Sequence, residues 1–237
     1  MIEGIIAILV LILIALMVDW SKIVRRRANR TERPAAVKKR QRNQPDTKIF
    51  NFDHTPEEAV EQVVADEEPS SANYSKEVED LLVEADVHFR KGEMKAAEEL
   101  YVRAAAKDPR CSKAYSRLGV IYLENGDNWE DAESAFRQAI KTDPKNGFIL
   151  NNLGLVLYHQ DKYADAIRHF EQAVRQDEYN ASRHANLGMA YMAIRQYAKA
   201  ESSFKKALKL APNEMEYKDL LNESIEKKKA HKTMVRR

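Results

Sequence analysis

The sequence predicts an all-α protein. It reads as an α-solenoid of about four helix-turn-helix repeats plus a C-terminal capping helix, preceded by a transmembrane helix and a flexible linker. Three observations carry this. Pro109, Pro144 and Pro212 stand in similar surroundings (AAAKDP, AIKTDP, ALKLAP), at intervals of 35 and then 68 residues, the second twice 34. Gly4 to Val18 contains no polar side chain. Between these regions the chain is charged and proline-punctured, with no sustained helical or strand period.

Composition sets the bounds. The 237 residues carry a formal net charge of +2, with 44% apolar and 32% charged residues, enough for one medium domain with appendages. The near-neutral total hides a strong dipole. Residues 21–42 hold ten basic residues against one acidic, and residues 53–80 one basic against ten acidic. A single cysteine excludes an intrachain disulfide framework and any CxxC metal or redox site.

Residues 1–20 read as a membrane anchor. The fifteen residues from Gly4 to Val18 cover about 22 Å as a helix, short of a ~30 Å hydrocarbon core. Met1, Ile2 and Trp20 extend the span, with Glu3 and Asp19 at headgroup level and Trp20 in the interfacial belt. No Lys or Arg precedes the run and no small-x-small cleavage site follows it, which disfavours a removed signal peptide. Lys22, Arg25, Arg26, Arg27, Arg30 and Arg33 follow directly. The positive-inside rule then predicts a single-pass N-out/C-in protein with its C-terminal bulk in the cytoplasm.

Residues 21–75 form the expected linker. Pro34, Pro45, Pro56 and Pro69 forbid one long helix. The basic half is expected to lie against anionic lipid, and its lack of interleaved aromatics speaks against nucleic-acid binding. The acidic half holds one helical candidate, 56–65. Thr55-Pro56-Glu57-Glu58 supplies an N-cap, an N1 proline and a capping-box glutamate, and Ala59, Val60, Val63 and Val64 make a narrow apolar stripe.

The repeat carries the strongest signal. One copy holds Tyr115, Leu118, Gly119 and Tyr122, then Ala132, Phe136, Ala139 and Pro144. The next holds Leu150, Leu153, Gly154 and Leu157, then Ala166, Phe170 and Ala173. A further copy holds Leu187, Gly188 and Tyr191, then Ala200, Phe204, Ala207 and Pro212. A degenerate first copy has Leu81, Ala85, Ala97, Tyr101, Ala104 and Pro109, with Glu84 and His88 at positions where Leu and Tyr are usual. One extra residue falls around Asp127–Trp129. Gly in a helix interior costs about 1 kcal/mol relative to Ala, so its recurrence at one phase requires a close helix crossing. We expect Ala132, Ala166 and Ala200 to be the small partners of that crossing and the phenylalanines to fill the space between repeats.

This pattern resembles the tetratricopeptide repeat family. The expected bounds are 78–111, 112–146, 147–180 and 181–214 for the repeats (76–213 in all), 214–229 for the capping helix and 230–237 for a basic tail. The resemblance implies a non-enzymatic protein-binding scaffold whose concave groove is lined by the first helix of each repeat. Carried over position by position, the groove residues are Leu82, Phe89, Val120, Leu123, Asn151, Leu155, Tyr158, His159, Met189 and Met192. Asn152 and Asn186 share a position from which they could bond a peptide backbone, though the resemblance equally implies a structural role for asparagine there. Family members that clamp acidic chaperone C-termini begin with Lys and Asn where this chain has Leu82 and Asp86, which speaks against such a clamp.

No catalytic pattern competes. The six histidines form no HExxH, and there is no GxxxxGK[ST] and no GxSxG. No enzyme activity, cofactor or metal is expected. The leading expectation is a membrane-tethered scaffold binding a peptide or amphipathic helix of a partner protein at the cytoplasmic face. One rival is an envelope, pilus or secretion-complex assembly factor with outward-facing repeats. Another is a regulatory subunit of a membrane enzyme, with the acidic segment as an internal groove ligand. Oligomeric state is not predicted.

Overall fold

The computed structural model describes residues 74–124 and 128–235, all within one compact unit, Asp46–Arg237. The expected anchor (1–20), nearly all of the linker (21–75) and its helical candidate (56–65) lie outside the described residues. Among the described residues no helix is long and apolar enough to cross a membrane.

The described residues form nine helices and no strand. These are α1 (Lys76–Arg90), α2 (Met94–Lys107), α3 (Ser112–Glu124), α4 (Trp129–Thr142), α5 (Gly147–His159), α6 (Tyr163–Gln176), α7 (Ala181–Ala193), α8 (Tyr197–Leu210) and α9 (Met215–Val235). The first eight form consecutive helix pairs, each stacked on the next, and α9 packs on α8. The odd-numbered helices α1, α3, α5 and α7 are the first members of the pairs.

Local chemistry sets the joints. Between pairs, the Asp108 and Asp177 side chains accept from the backbone N–H two residues on, Arg110 at 2.9 Å and Tyr179 at 3.0 Å, closing Asx turns. The Asn146 side chain caps α5 by accepting from Phe148 and Ile149, and Asn180 caps α7 by accepting from Arg183. Within pairs, the turn passes through a left-handed residue: Gly92 (φ 73°), Asp161 (61°) and Arg195 (62°). Asp161 and Arg195 are 34 residues apart, so the third and fourth pairs turn through the same conformation at the same point without a glycine there.

The recurring glycines mark the helix crossing, but their partner differs from the sequence expectation. A Cβ on Gly119, Gly154 or Gly188 would lie 2.7, 2.6 or 2.6 Å from the ring of Phe136, Phe170 or Phe204. The aromatic edge, rather than the alanines, occupies the space that the missing side chain leaves. Ala132, Ala166 and Ala200 lie one turn earlier on the second helices and are fully buried. In the first pair, Ala85 takes the glycine's place and Tyr101 the ring's, with the Tyr101 hydroxyl donating to Asp86 at 2.5 Å.

Two boundaries also move. Tyr74, assigned to the linker, packs against the core, and its hydroxyl donates to the Cys111 sulfur. At the other end α9 runs on to Val235 instead of ending at Lys229. Nothing from Ala230 to Met234 breaks a helix, and the last turns are tied back to α8. Lys228 donates to Glu201 at 2.9 Å, and the His231 ring lies edge-on to Tyr197 at 5.7 Å. Tyr217, Leu220 and Ser224 form the buried face of this cap.

Gly154→Ala drives a methyl into the Phe170 ring and is expected to destabilise the repeats by about 1–3 kcal/mol in urea titration, with Phe170→Leu relieving part of that loss. Arg195→Gly removes left-handed strain from an exposed turn and is expected to raise stability by about 0.5–1 kcal/mol in the same assay.

Candidate peptide-binding groove

All ten expected groove residues lie on first helices: Leu82 and Phe89 on α1, Val120 and Leu123 on α3, Asn151 to His159 on α5, Met189 and Met192 on α7. The structure brings them together. The seven apolar residues other than Tyr158 belong to one continuous hydrophobic cluster, and Tyr158 packs against it. Their exposure differs from that of an open lining. Eight are buried, Leu155 completely, and only Tyr158 and His159 retain partly exposed surface. These eight side chains belong to the packed interior, and the two at the C-terminal end of α5 form its accessible edge.

That edge includes residues that sequence reasoning missed. The Trp129 indole stacks on the His159 ring at 4.3 Å and 13°, and Gln160 Nε2 donates to the Trp129 carbonyl at 3.2 Å. Tyr158 meets His159 edge-on at 6.2 Å and Tyr163 at 5.1 Å. Trp129, Tyr158, His159 and Tyr163 thus form a half-buried aromatic ledge bridging the second and third helix pairs. Its one sequence signal was the extra residue around Asp127–Trp129, which brings an indole to the start of α4.

Charge borders this ledge: the Tyr163 hydroxyl donates to Asp161 at 2.6 Å, and Lys162 pairs with Glu133 at 2.9 Å. Burial pushes the His159 imidazole down to about 4, so it is neutral at physiological pH. Burial pushes the Glu124 carboxyl up to about 7, at the C-terminal end of α3. Charge also gathers around Asp86 in the C-terminal half of α1, facing the next first helix, α3. Its carboxylate meets Lys113 Nζ at 2.8 Å and Arg117 Nε at 3.5 Å, and the Arg117 guanidinium lies over the Phe89 ring at 5.1 Å. An incoming peptide carboxylate would meet Asp86 already seated beside those cations, so this cluster differs from a carboxylate clamp in structure as well as in residue type.

Of the two roles open to Asn152 and Asn186, the structure shows the structural one. Asn152 donates to the Phe148 carbonyl at 2.9 Å within α5, and Asn186 donates across to Asn151 Oδ1 at 3.1 Å, tying α7 to α5. His184 and His88 likewise have structural partners, the Glu178 carbonyl and the Glu93 carboxylate. Among the described residues no group of His, Cys, Asp and Glu could hold a metal ion. Cys111 is buried and burial pushes its thiol up, which leaves it unreactive.

Two tetratricopeptide repeat family models match this architecture, one over residues 82–128 and 122–181 and the other over 157–223. Together they span 82–223, more than half of the 237 residues, and the chain belongs to the tetratricopeptide repeat family. Solved structures share the fold. A MamA protein superposes with a TM-score of 0.61 at 19% identity, covering 68% of this chain and 87% of that one. MamA from Desulfovibrio magneticus RS-1, residue 41 to its end, gives 0.62 at 22% identity, covering 69% and 92%. YrrB, described as a TPR protein with an unusual peptide-binding site, gives 0.58 at 20% identity, covering 63% and 76%. No curated protein matches the sequence.

The His159 environment has a pH consequence. A folded value of about 4 against an ordinary ~6.5 means that the unfolded chain takes up the proton first as pH falls. Stability from the neutral ring is complete above about pH 6.5 and is lost between there and about pH 4. His159→Phe keeps a ring on Trp129 without titrating. It is expected to lose on the order of 1–3 kcal/mol less than the wild type over that window in urea titrations at stepped pH.

Proposed function

We propose that this protein is a membrane-tethered adaptor whose repeats hold an amphipathic helix or extended peptide of a partner protein at the cytoplasmic face. The observation that carries this reading is the aromatic ledge. Four half-buried rings stand where the second and third helix pairs meet, an aromatic surface bordered by Asp161 and the Lys162–Glu133 pair on which large apolar side chains can be received. Met189 and Met192 on α7, in the same hydrophobic cluster, belong to a residue type that adapts to varied shapes. The fold shared with YrrB, a TPR protein with an unusual peptide-binding site, supports a peptide as the ligand class.

The tether rests on the sequence. An uninterrupted apolar run followed by an arginine-rich flank supports a single span with the repeats on the positive side. A long linker then lets the groove search the membrane surface near other membrane proteins, raising their effective concentration at the repeats.

Cys111 is buried and unsuited to topology labelling, whereas Lys141 is exposed on α4. Lys141→Cys is expected to resist an impermeant maleimide in intact cells and to react after permeabilisation; labelling of intact cells would reverse the orientation. A photo-crosslinking side chain at Tyr158 is expected to yield a discrete protein adduct in native membranes. The same group at Lys141 should yield none. Equal adducts from the two positions would remove the ledge as the binding site.

A further inference from the structure

The ledge is aromatic, and the two turns that carry it are acidic. Residues 124–137 and 158–168 hold seven acidic residues against three basic ones. All three basic residues are engaged locally. Arg137 and Lys162 pair with Glu133 at 2.8 and 2.9 Å, and Arg168 pairs with Asp165 at 2.5 Å. The surplus of negative charge lies in Glu124, Asp127, Glu130, Asp131 and Asp161.

Helix ends do not account for this surplus. Each helix terminus carries about half a charge, and the C-termini of α3 and α5 meet the N-termini of α4 and α6 at these turns, so the dipoles cancel. Glu130 and Asp131 stand in the first turn of α4, where an anion is favoured. Glu124 is half-buried at the C-terminal end of α3, where the dipole opposes it. It is the last of the thirteen residues of α3, as His159 is the last of the thirteen of α5, so this carboxyl and the ledge share one edge of neighbouring first helices. Burial keeps the His159 ring neutral, and it adds no opposing charge.

Resting on the reading of the ledge as the binding site, we propose that it receives an arginine side chain of the partner, the guanidinium laid on the exposed ring surface and met by the bordering carboxylates.

The chain builds this recognition twice within itself. Arg117 lies over the Phe89 ring at 5.1 Å, with Asp86 at 3.5 Å. Lys199 lies over the Tyr191 ring at 5.1 Å, and the Tyr191 hydroxyl donates to Glu171 at 2.5 Å. Each case joins a cation, a ring face and a carboxylate. At the ledge rings and carboxylate come together again: Tyr158 lies edge-on to Tyr163, whose hydroxyl donates to Asp161 at 2.6 Å, and Trp129 stacks on His159. A partner would bring the cation. Arginine suits this surface better than lysine, because a planar guanidinium stacks on a ring, forks to a carboxylate and sheds water more readily than an ammonium. Its apolar stem can lie along the rings at the same time.

The test uses the full chain in phosphatidylcholine nanodiscs, whose neutral lipid does not compete for cations. The probes are short fluorescent alanine–leucine peptides carrying paired arginines, lysines, citrullines or glutamates. The arginine peptide is expected to bind about tenfold more tightly than the citrulline peptide, which keeps the shape and loses the charge. Asp161→Asn with Glu130→Gln is expected to remove most of that preference. Asparagine tolerates the left-handed backbone at position 161 and still accepts from Tyr163, so the turn is kept. Asp219→Asn with Glu226→Gln, exposed on α9, should leave the preference unchanged. An equal loss from this second pair would overturn the ledge as the source of selectivity, in favour of general charge attraction. Equal binding of the citrulline or lysine peptide would overturn the assignment to arginine. Tighter binding of the glutamate peptide would overturn its sign, and failure of all four peptides to bind would overturn it outright. If the crosslinker at Tyr158 still gives its discrete adduct in native membranes in any of these cases, only this inference falls; if it gives none, the reading of the ledge as a binding site falls with it.

Discussion

The structure depends on one repeated contact, a helix-interior glycine against the edge of a phenylalanine ring. With Gly119, Gly154 and Gly188 under the rings of Phe136, Phe170 and Phe204, the two helices of each pair approach more closely than any side chain at the glycine would allow. That approach offsets the unfavourable helix propensity of glycine. It also buries the ring almost completely, so each pair carries a large apolar filler on which its neighbour can stack. The stacking direction, and with it the alignment of α1, α3, α5 and α7 along one face, follows from repeating this crossing at a nearly constant interval.

A second constraint comes from the turns. A chain that reverses within a few residues between closely crossed helices passes through left-handed backbone at Gly92, Asp161 and Arg195, and only the first is a glycine. The repeat tolerates about a kilocalorie of local strain per turn because the crossing it serves is worth more. The stack ends where α9 covers the last pair, its charged outer face keyed to α8 through Lys228 and Glu201. That tie accounts for a helix longer than its apolar face requires.

Accessible chemistry is unevenly spread over the first helices. Between α1 and α3, Asp86 gathers Lys113 and Arg117, and the Arg117 guanidinium lies over the Phe89 ring. At the C-terminal end of α5, burial holds His159 neutral against Trp129, while Asp161 and the Lys162–Glu133 pair border the aromatic ledge. Most of the other groove-position side chains are buried.

Most of the fold was legible in the sequence, because proline spacing, glycine phase and apolar periodicity all repeat, and a repeat multiplies a weak local signal. The interior glycines announced a close crossing with buried alanines nearby, but that the edges of the phenylalanines, expected between repeats, meet the glycines was not legible. Spacing along a helix shows which residues share a face; it does not show which atom of the facing helix reaches the gap. The groove positions could be assigned, whereas their burial could not, since exposure depends on how neighbouring helices close on one another. For Asn152 and Asn186 the sequence left both a peptide-binding and a structural role open, and they bond Phe148 and Asn151. The Trp129–His159 stack joins residues thirty positions apart on different helix pairs and had no local signature beyond an insertion. The sequence by itself determined the period, the helix pairs and the segregation of charge, because these are encoded by neighbours within a few turns. Only the tertiary structure decided which rings meet, which polar groups are spent on the fold and which part of the inner face stays open, because those depend on contacts between turns that the chain brings together only when the repeats stack.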